Sequence, residues 1–171
     1  METWDALRAR RNVRDYQDRP IPDDDLERIL EAGRRTPSSQ NLQRWDFVVC
    51  TERLQLKRLA DVWRGASFVA TSAATVALIA PQTNDPGVLR SIHYDLGQVT
   101  MVMMVAAADR GIGSGHTAVA NQELARELLG HPDGMICGWL LALGYPADRP
   151  LKPIKNLNRR AYDEVVHLGG W

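Results

Sequence analysis

The sequence predicts an α+β chain, a mixed sheet with helices packed around it. Three observations carry this. The runs Trp45–Cys50, Ala73–Ala80 and Met135–Gly144 are apolar and have the composition of strands. The segments 23–35 and 86–110 repeat apolar residues at helical spacing. The two kinds of element alternate along the chain without internal repeats or low-complexity stretches.

A short helix over residues 3–9 leads into a basic stretch, RARRNVRDY, from Arg8 to Tyr16. Pro20-Ile21-Pro22 breaks the chain, and Asp23 is the expected N-cap of a helix reaching Arg35. Its core face is Leu26, Ile29, Leu30 and Gly33. Thr36–Asn41 reads as a polar loop. Thr51 follows the first strand and can cap a helix that buries Leu56, Leu59, Ala60 and Trp63. Ala73–Ala80 suits a strand covered on both faces, and Pro81–Asp85 a turn. Asp85 caps a long helix with Pro86 at its first position. Leu89, Ile92, Leu96, Val99, Met103 and Ala107 form one face of it. Met101, Val102, Met104 and Val105 make its second half apolar nearly all round, which implies burial in a core or between subunits. Gly111–His116, GIGSGH, is expected to be a loop whose first glycine ends the helix. A short helix over 121–129, an HPDG turn and the strand 135–144 follow. From Tyr145 the chain is Pro-rich and basic, and 162–167 is expected to form a short strand or packed arm.

A length of 171 residues fits one domain, 1–171, with a C-terminal arm from about 145. The formal net charge is zero, so a nucleic-acid partner is not expected. Charge is unevenly placed: 8 of the 21 Lys and Arg lie between Arg8 and Arg35, and 5 lie between Arg149 and Arg160. The second group contains no acid. Cys50 and Cys137 each sit in an apolar run and read as buried hydrophobes, with neither a disulfide framework nor a metal-ligand spacing. The first residues, METWDALRARR, lack the apolar core of a signal peptide. No apolar run approaches the ~20 residues of a membrane span. A cytoplasmic location is the expectation.

Chemistry concentrates in the irregular segments. Arg10, Asn12 and Arg14 alternate, so an extended backbone would point all three the same way. Guanidinium groups offer a charged planar fork for phosphate or carboxylate oxygens, and this trio makes a compact anion clamp. The glycines of GIGSGH permit close backbone approach to a planar or anionic ligand. Their spacing differs from the dinucleotide fingerprint G-x-G-x-x-G, and they follow a helix rather than a strand, so a Rossmann site is excluded. His116 is the histidine of this Gly-rich segment and a candidate ligand contact; His93 falls on a helix, His131 in a turn and His167 near the end.

Taken in order, these features resemble the nitroreductase family of FMN-dependent oxidoreductases. Arg10-Arg11-Asn12-Val13-Arg14-Asp15-Tyr16 is similar to its R-x-S-x-R/K-x-F/Y, and Pro37-Ser38-Ser39-Gln40-Asn41-Leu42-Gln43-Arg44-Trp45 to its P-S-S-x-N-x-Q-x-W. A long apolar helix ending in Gly111-Ile112-Gly113-Ser114 and a basic pair before Asp163-Glu164-Val165-Val166 complete the pattern over nearly the whole chain. The resemblance implies an α+β fold with a mixed, mostly antiparallel sheet and an intertwined homodimer holding FMN at its interface. It implies that Arg10, Arg11, Asn12 and Arg14 grip the flavin's phosphate, ribityl chain and pyrimidine edge. Ser38, Ser39 and Asn41 would reach the flavin from the partner subunit, Gly113 and Ser114 would approach its ring, and Arg160, with Arg159, would close on the phosphate. NADH or NADPH would be the donor and a nitroaromatic or quinone the acceptor, with the flavin rather than a protein acid or base carrying the chemistry. Other outcomes within the resemblance are a flavin-binding protein without turnover, or a member specialised for flavin destruction, dehalogenation or deazaflavin-linked reduction. The chain departs from the pattern at Asn12 (usually serine), Arg44 (often proline) and Asn158 (often lysine), and lacks room for a helical excursion over the substrate side.

Overall fold

A computed structural model of the chain describes residues 1–156 and 158–171; position 157 of the expected arm lies outside the described residues. Eight of nine principal elements follow the predicted order, and the ninth, the strand Gly113–Ala118, is not predicted. The nine are α1 (Thr3–Ala9), α2 (Asp23–Arg34), β1 (Asp46–Cys50), α3 (Arg53–Leu59), β2 (Ala74–Pro81), α4 (Pro86–Asp109), β3 (Gly113–Ala118), α5 (Gln122–Leu129) and β4 (Met135–Gly144). The strands form a 4-stranded sheet in the order β1-β2-β4-β3. All of its ladders are antiparallel. The parallel component of the expected mixed sheet shrinks to a single bridge, Asn12 with Ser114.

The continuous apolar character of β2 and β4 follows from burial on both faces. Side chains alternate across a strand, so Val76, Leu78 and Leu141 join the core under α2 and α4, with Ile29, Ile92, Leu96 and Met103. Ala77, Ile79 and Leu140 face the other way, against Leu56, Leu59, Phe68 and Leu129. Cys50 and Cys137 are free and buried, and burial pushes their thiols up to about 11 and about 12, so both remain protonated near neutral pH. The register between β2 and β4 shifts between Leu78 and Ile79, leaving Gly138 without a paired residue. A Cβ there would stand 2.8 Å from Leu96 Cδ1, so the missing side chain lets α4 approach the sheet.

The long helix begins as the sequence predicts: Asp85 Oδ1 accepts from the Gly87 and Val88 amides at 2.7 and 3.0 Å. Gly111, at φ 71°, ends the turn that follows it. Four expectations change. Thr51 does not cap α3; Glu52 stands at its N-cap and makes no side-chain cap bond. Asp23 is inside α2 rather than its cap; Pro22 precedes the helix, and Asp23, Asp24 and Asp25 place negative charge in its first turn. Residues 113–118 are an edge strand instead of a loop, because the chain from Arg10 to Tyr16 lies across their missing side chains. The end of the chain forms a single 3₁₀ turn, Tyr162–Glu164, and no strand. Leu168 and Trp171 there are fully exposed, at 93% and 102%. Among the described residues no helix is long and apolar enough to cross a membrane.

Candidate active site

The site is built where α1 ends. Arg10 leaves the helix with φ −60° and ψ 126° while its amide still bonds Ala6 O. The chain then runs extended against β3, where the Val13 amide donates to Ser114 O at 2.8 Å. On its other side it is tied to the post-β4 segment. The Gln17 amide donates to Tyr145 O and the Ala147 amide to Asp15 O, at 2.8 and 3.0 Å. The buried Tyr16 hydroxyl lies 2.8 Å from Val13 O and 3.2 Å from Ala142 O. Burial raises the Tyr16 pKa far above its usual value, so the hydroxyl stays protonated and able to donate.

Extended geometry separates neighbouring arginines. Arg11 turns to Asp148, 2.6 Å away, and donates to Arg149 O at 2.9 Å. That pairing holds the Asp148 carboxyl below the usual carboxylate range, and Arg11 is committed to fastening the two segments. Arg10, Arg11 and Asn12 all line a cavity of about 590 Å³ together with Arg8, Lys155, Asn158 and Arg159. Arg10 also lines a second cavity, of about 250 Å³, with Thr100, Met101, Met104, His116 and Trp139. The first is cationic and the second mostly apolar, and Arg10 is their common wall. Arg10 Nε is buried with no hydrogen-bond partner among the described residues. A guanidinium N–H can only donate, so the free chain leaves a donor there that an acceptor would satisfy.

The other predicted residues are spread out. Arg14 stands over the Phe68 ring, 5.6 Å from its centroid, and lines neither cavity. Gly113 and Ser114 lie under the Arg10–Val13 segment; a Cβ on Gly113 would meet Val13 Cγ2 at 2.7 Å, and Ser114 is 2% exposed. Arg160 donates to Glu164 O at 2.5 Å, while Arg159 faces the cationic cavity. Ser38, Ser39 and Asn41 line neither Arg10 cavity. They belong to a loop in which Gln40, Asn41 and Gln43 all have φ near +50°, at 54°, 55° and 47°, unusual for residues with side chains. Sequence reasoning missed what holds that loop. Asp95 of α4 is 1% exposed and accepts from the Ser39 amide and hydroxyl, each at 3.1 Å. The legible signal was an acid placed among the core positions Ile92, Leu96 and Val99 of α4.

The sequence model of the nitroreductase family matches residues 7–91, which include the Arg10 and Ser38–Asn41 motifs. An Archaeoglobus fulgidus protein, provisionally named NADH dehydrogenase/NAD(P)H nitroreductase, is 32% identical over 99% of both chains. The chain belongs to the nitroreductase family. Within the family, it is 28% identical to an oxygen-insensitive NADPH nitroreductase of Salmonella typhimurium, covering 96% of this chain and 72% of that one. The fold agrees: an FMN-dependent nitroreductase from Clostridium difficile superposes with a TM-score of 0.83 at 20% identity, covering 97% of this chain and 98% of the other.

Proposed function

We propose that this nitroreductase-family chain is an FMN-dependent oxidoreductase, passing electrons from NADH or NADPH to an electron-poor acceptor such as a nitroaromatic or a quinone. The observation that carries this is the junction at Arg10, with a cationic cavity on one side and an apolar, Trp-walled cavity on the other. A flavin mononucleotide has that same division between a phosphate and a flat ring. The names of relatives agree on donor and flavin: a Bacillus subtilis FMN reductase [NAD(P)H] is 24% identical over 88% of this chain.

When bound, FMN supplies the two-electron chemistry that amino-acid side chains lack. The chain's own residues bind and orient. Arg8, Arg10, Lys155 and Arg159 neutralise phosphate charge, and Asn12 can donate to the ribityl hydroxyls or accept from them. Met101, Met104 and Trp139 exclude water from the ring. In this reading Gly113 and Ser114 act by seating the Val13 segment that carries Arg10, while Arg11, Arg14 and Arg160 act by holding the surrounding segments. Ser38, Ser39 and Asn41 reach the flavin of a second copy across a homodimer. The exposed face of α4 supports the dimer, with Tyr94 68%, Met101 37% and Val102 37% exposed along a groove of about 710 Å³. The C-terminal arm, ending in exposed Leu168 and Trp171, lies on the partner.

The test is a visible absorption spectrum of the purified chain after FMN is added and the unbound fraction removed. Steady-state NADH and NADPH consumption with a quinone follows. A retained flavin band with turnover is expected. A chain that takes up no flavin would overturn the proposal, and bound flavin without turnover would favour a binding protein.

A further inference from the structure

Among the described residues, three buried side-chain polar atoms have no hydrogen-bond partner: Arg10 Nε, His116 Nδ1 and His131 Nε2. Two of the three belong to side chains that wall the same cavity, of about 250 Å³. A buried polar group left unpaired costs the folded state free energy, and two such costs at one cavity imply a partner that the free chain lacks. His116 is carried there by β3, where it pairs with Leu141 of β4. Its ring meets Trp139 edge to face, with centroids 5.8 Å apart and planes at 71°. That contact fixes the ring's position without using its nitrogens.

Charge settles the form of the imidazole. Burial, then Arg10 and Arg14, lower the His116 pKa from its ordinary value. His93 of α4 is the other titratable group on the cavity wall. Near neutral pH His116 is therefore uncharged, with one nitrogen that donates and one that accepts. A half-turn about χ2 exchanges Nδ1 with Cδ2, so the buried nitrogen can be presented to a ligand without moving the backbone.

We propose that His116, together with Arg10, hydrogen-bonds the polar edge of the flavin ring in the cavity against Trp139. The inference rests on the FMN reading above and assigns to the ring cavity a side chain that its phosphate-binding motifs do not include. Arg10 supplies a fixed donor, and the neutral imidazole supplies the adjustable partner beside it.

The experiment measures FMN dissociation constants by fluorescence quenching, and apoprotein melting temperatures, for the wild type, His116→Phe and His116→Gln. Phenylalanine keeps the ring against Trp139 and removes the unpaired nitrogen. FMN binding by His116→Phe should weaken about tenfold, the size of one well-made hydrogen bond. Its apoprotein should melt no lower than wild type, and up to about 2–4 °C higher. His116→Gln, which retains hydrogen-bonding atoms, should recover part of the affinity. Unchanged FMN affinity in His116→Phe would overturn the assignment. So would weakened binding in both variants accompanied by a lowered apoprotein melting temperature, the signature of a purely structural histidine. A wild-type chain that binds no FMN would instead overturn the reading on which the inference rests.

Discussion

Replacing Gly115 by alanine tests how the candidate site is held together. A Cβ at this position would stand 2.4 Å from the Val13 carbonyl oxygen, 3.0 Å from Phe68 Cε2 and 3.3 Å from the Tyr16 hydroxyl. An ordinary carbon–oxygen contact is about 3.3 Å or more, so the Val13 carbonyl must retreat by about 0.9 Å. That oxygen accepts from Tyr16 at 2.8 Å, and the Val13 amide donates to Ser114 O at 2.8 Å. Retreat strains or breaks one of these bonds and overpacks the region, at about 2 kcal/mol together. For a chain of this size that lowers the melting temperature by about 4–8 °C. The same shift drags Arg10 away from its two cavities, and FMN affinity should fall about tenfold or more. Gly111→Ala is the control. Gly111 also resists substitution, through its φ of 71°, but has nothing within 4 Å of its Cβ position. It should lose about 1–2 kcal/mol and leave FMN affinity unchanged. Calorimetry and FMN titration of both variants decide the matter. A Gly115→Ala chain with wild-type melting and wild-type FMN affinity would refute the claim that this strand positions the arginine segment.

Arg10→Ala should abolish most FMN uptake, measured by retained absorbance after gel filtration. Arg159→Ala should weaken FMN more than Arg160→Ala, because Arg159 faces the cationic cavity while Arg160 is occupied by the Glu164 carbonyl; equal effects in titration would contradict this. Asp95→Ala leaves the Ser39 amide without its acceptor and should cost about 1–3 kcal/mol in denaturant unfolding. Acid should destabilise the chain through His116. Its folded pKa lies below the ordinary 6.5, so the unfolded chain binds more protons as pH falls through that value. Stability is then highest above pH 6.5 and declines below it. His116→Phe should flatten the melting temperature against pH between about 6.5 and 5, and an unaltered slope would exclude the contribution.

Sequence and structure agree best where one physical rule acts alone. Asp85 and Pro86 start α4 because cap and fixed φ act on adjacent residues, and burial on both faces makes β2 and β4 visible as unbroken apolar runs. Agreement fails where tertiary contacts decide. GIGSGH has the composition of a loop, yet from Gly113 onward it is a strand, because Val13, Pro146 and Tyr16 fill the space that side chains at positions 113 and 115 would occupy. The alternation of Arg10, Asn12 and Arg14 is real, but only the first two reach the cationic cavity; Phe68, 54 positions further along the chain, holds the third. Asp95 stands out as an acid among core positions, but its role is unreadable for a related reason. A buried carboxylate needs its donors named, and these come from Ser39, 56 positions away.

The glycines of β3 therefore have a different purpose from the one their spacing suggests. The reading from sequence gives them to a ligand that approaches the backbone. In the structure the space over Gly113 and Gly115 belongs to Val13, whose backbone sets where Arg10 leaves α1. Close approach is still what the glycines permit, but the approaching group is the chain itself. This places the binding determinants one step back from the ligand. Arg10 faces both cavities because Val13 is clamped to Ser114, and Val13 is clamped because residues 113 and 115 carry no side chains. His116 lies on the same short strand and walls one of those cavities, so a displacement of β3 would move the imidazole and the guanidinium together. The affinity lost in Gly115→Ala and in His116→Phe should accordingly be less than additive in the double variant, since residues coupled through one backbone segment do not act independently.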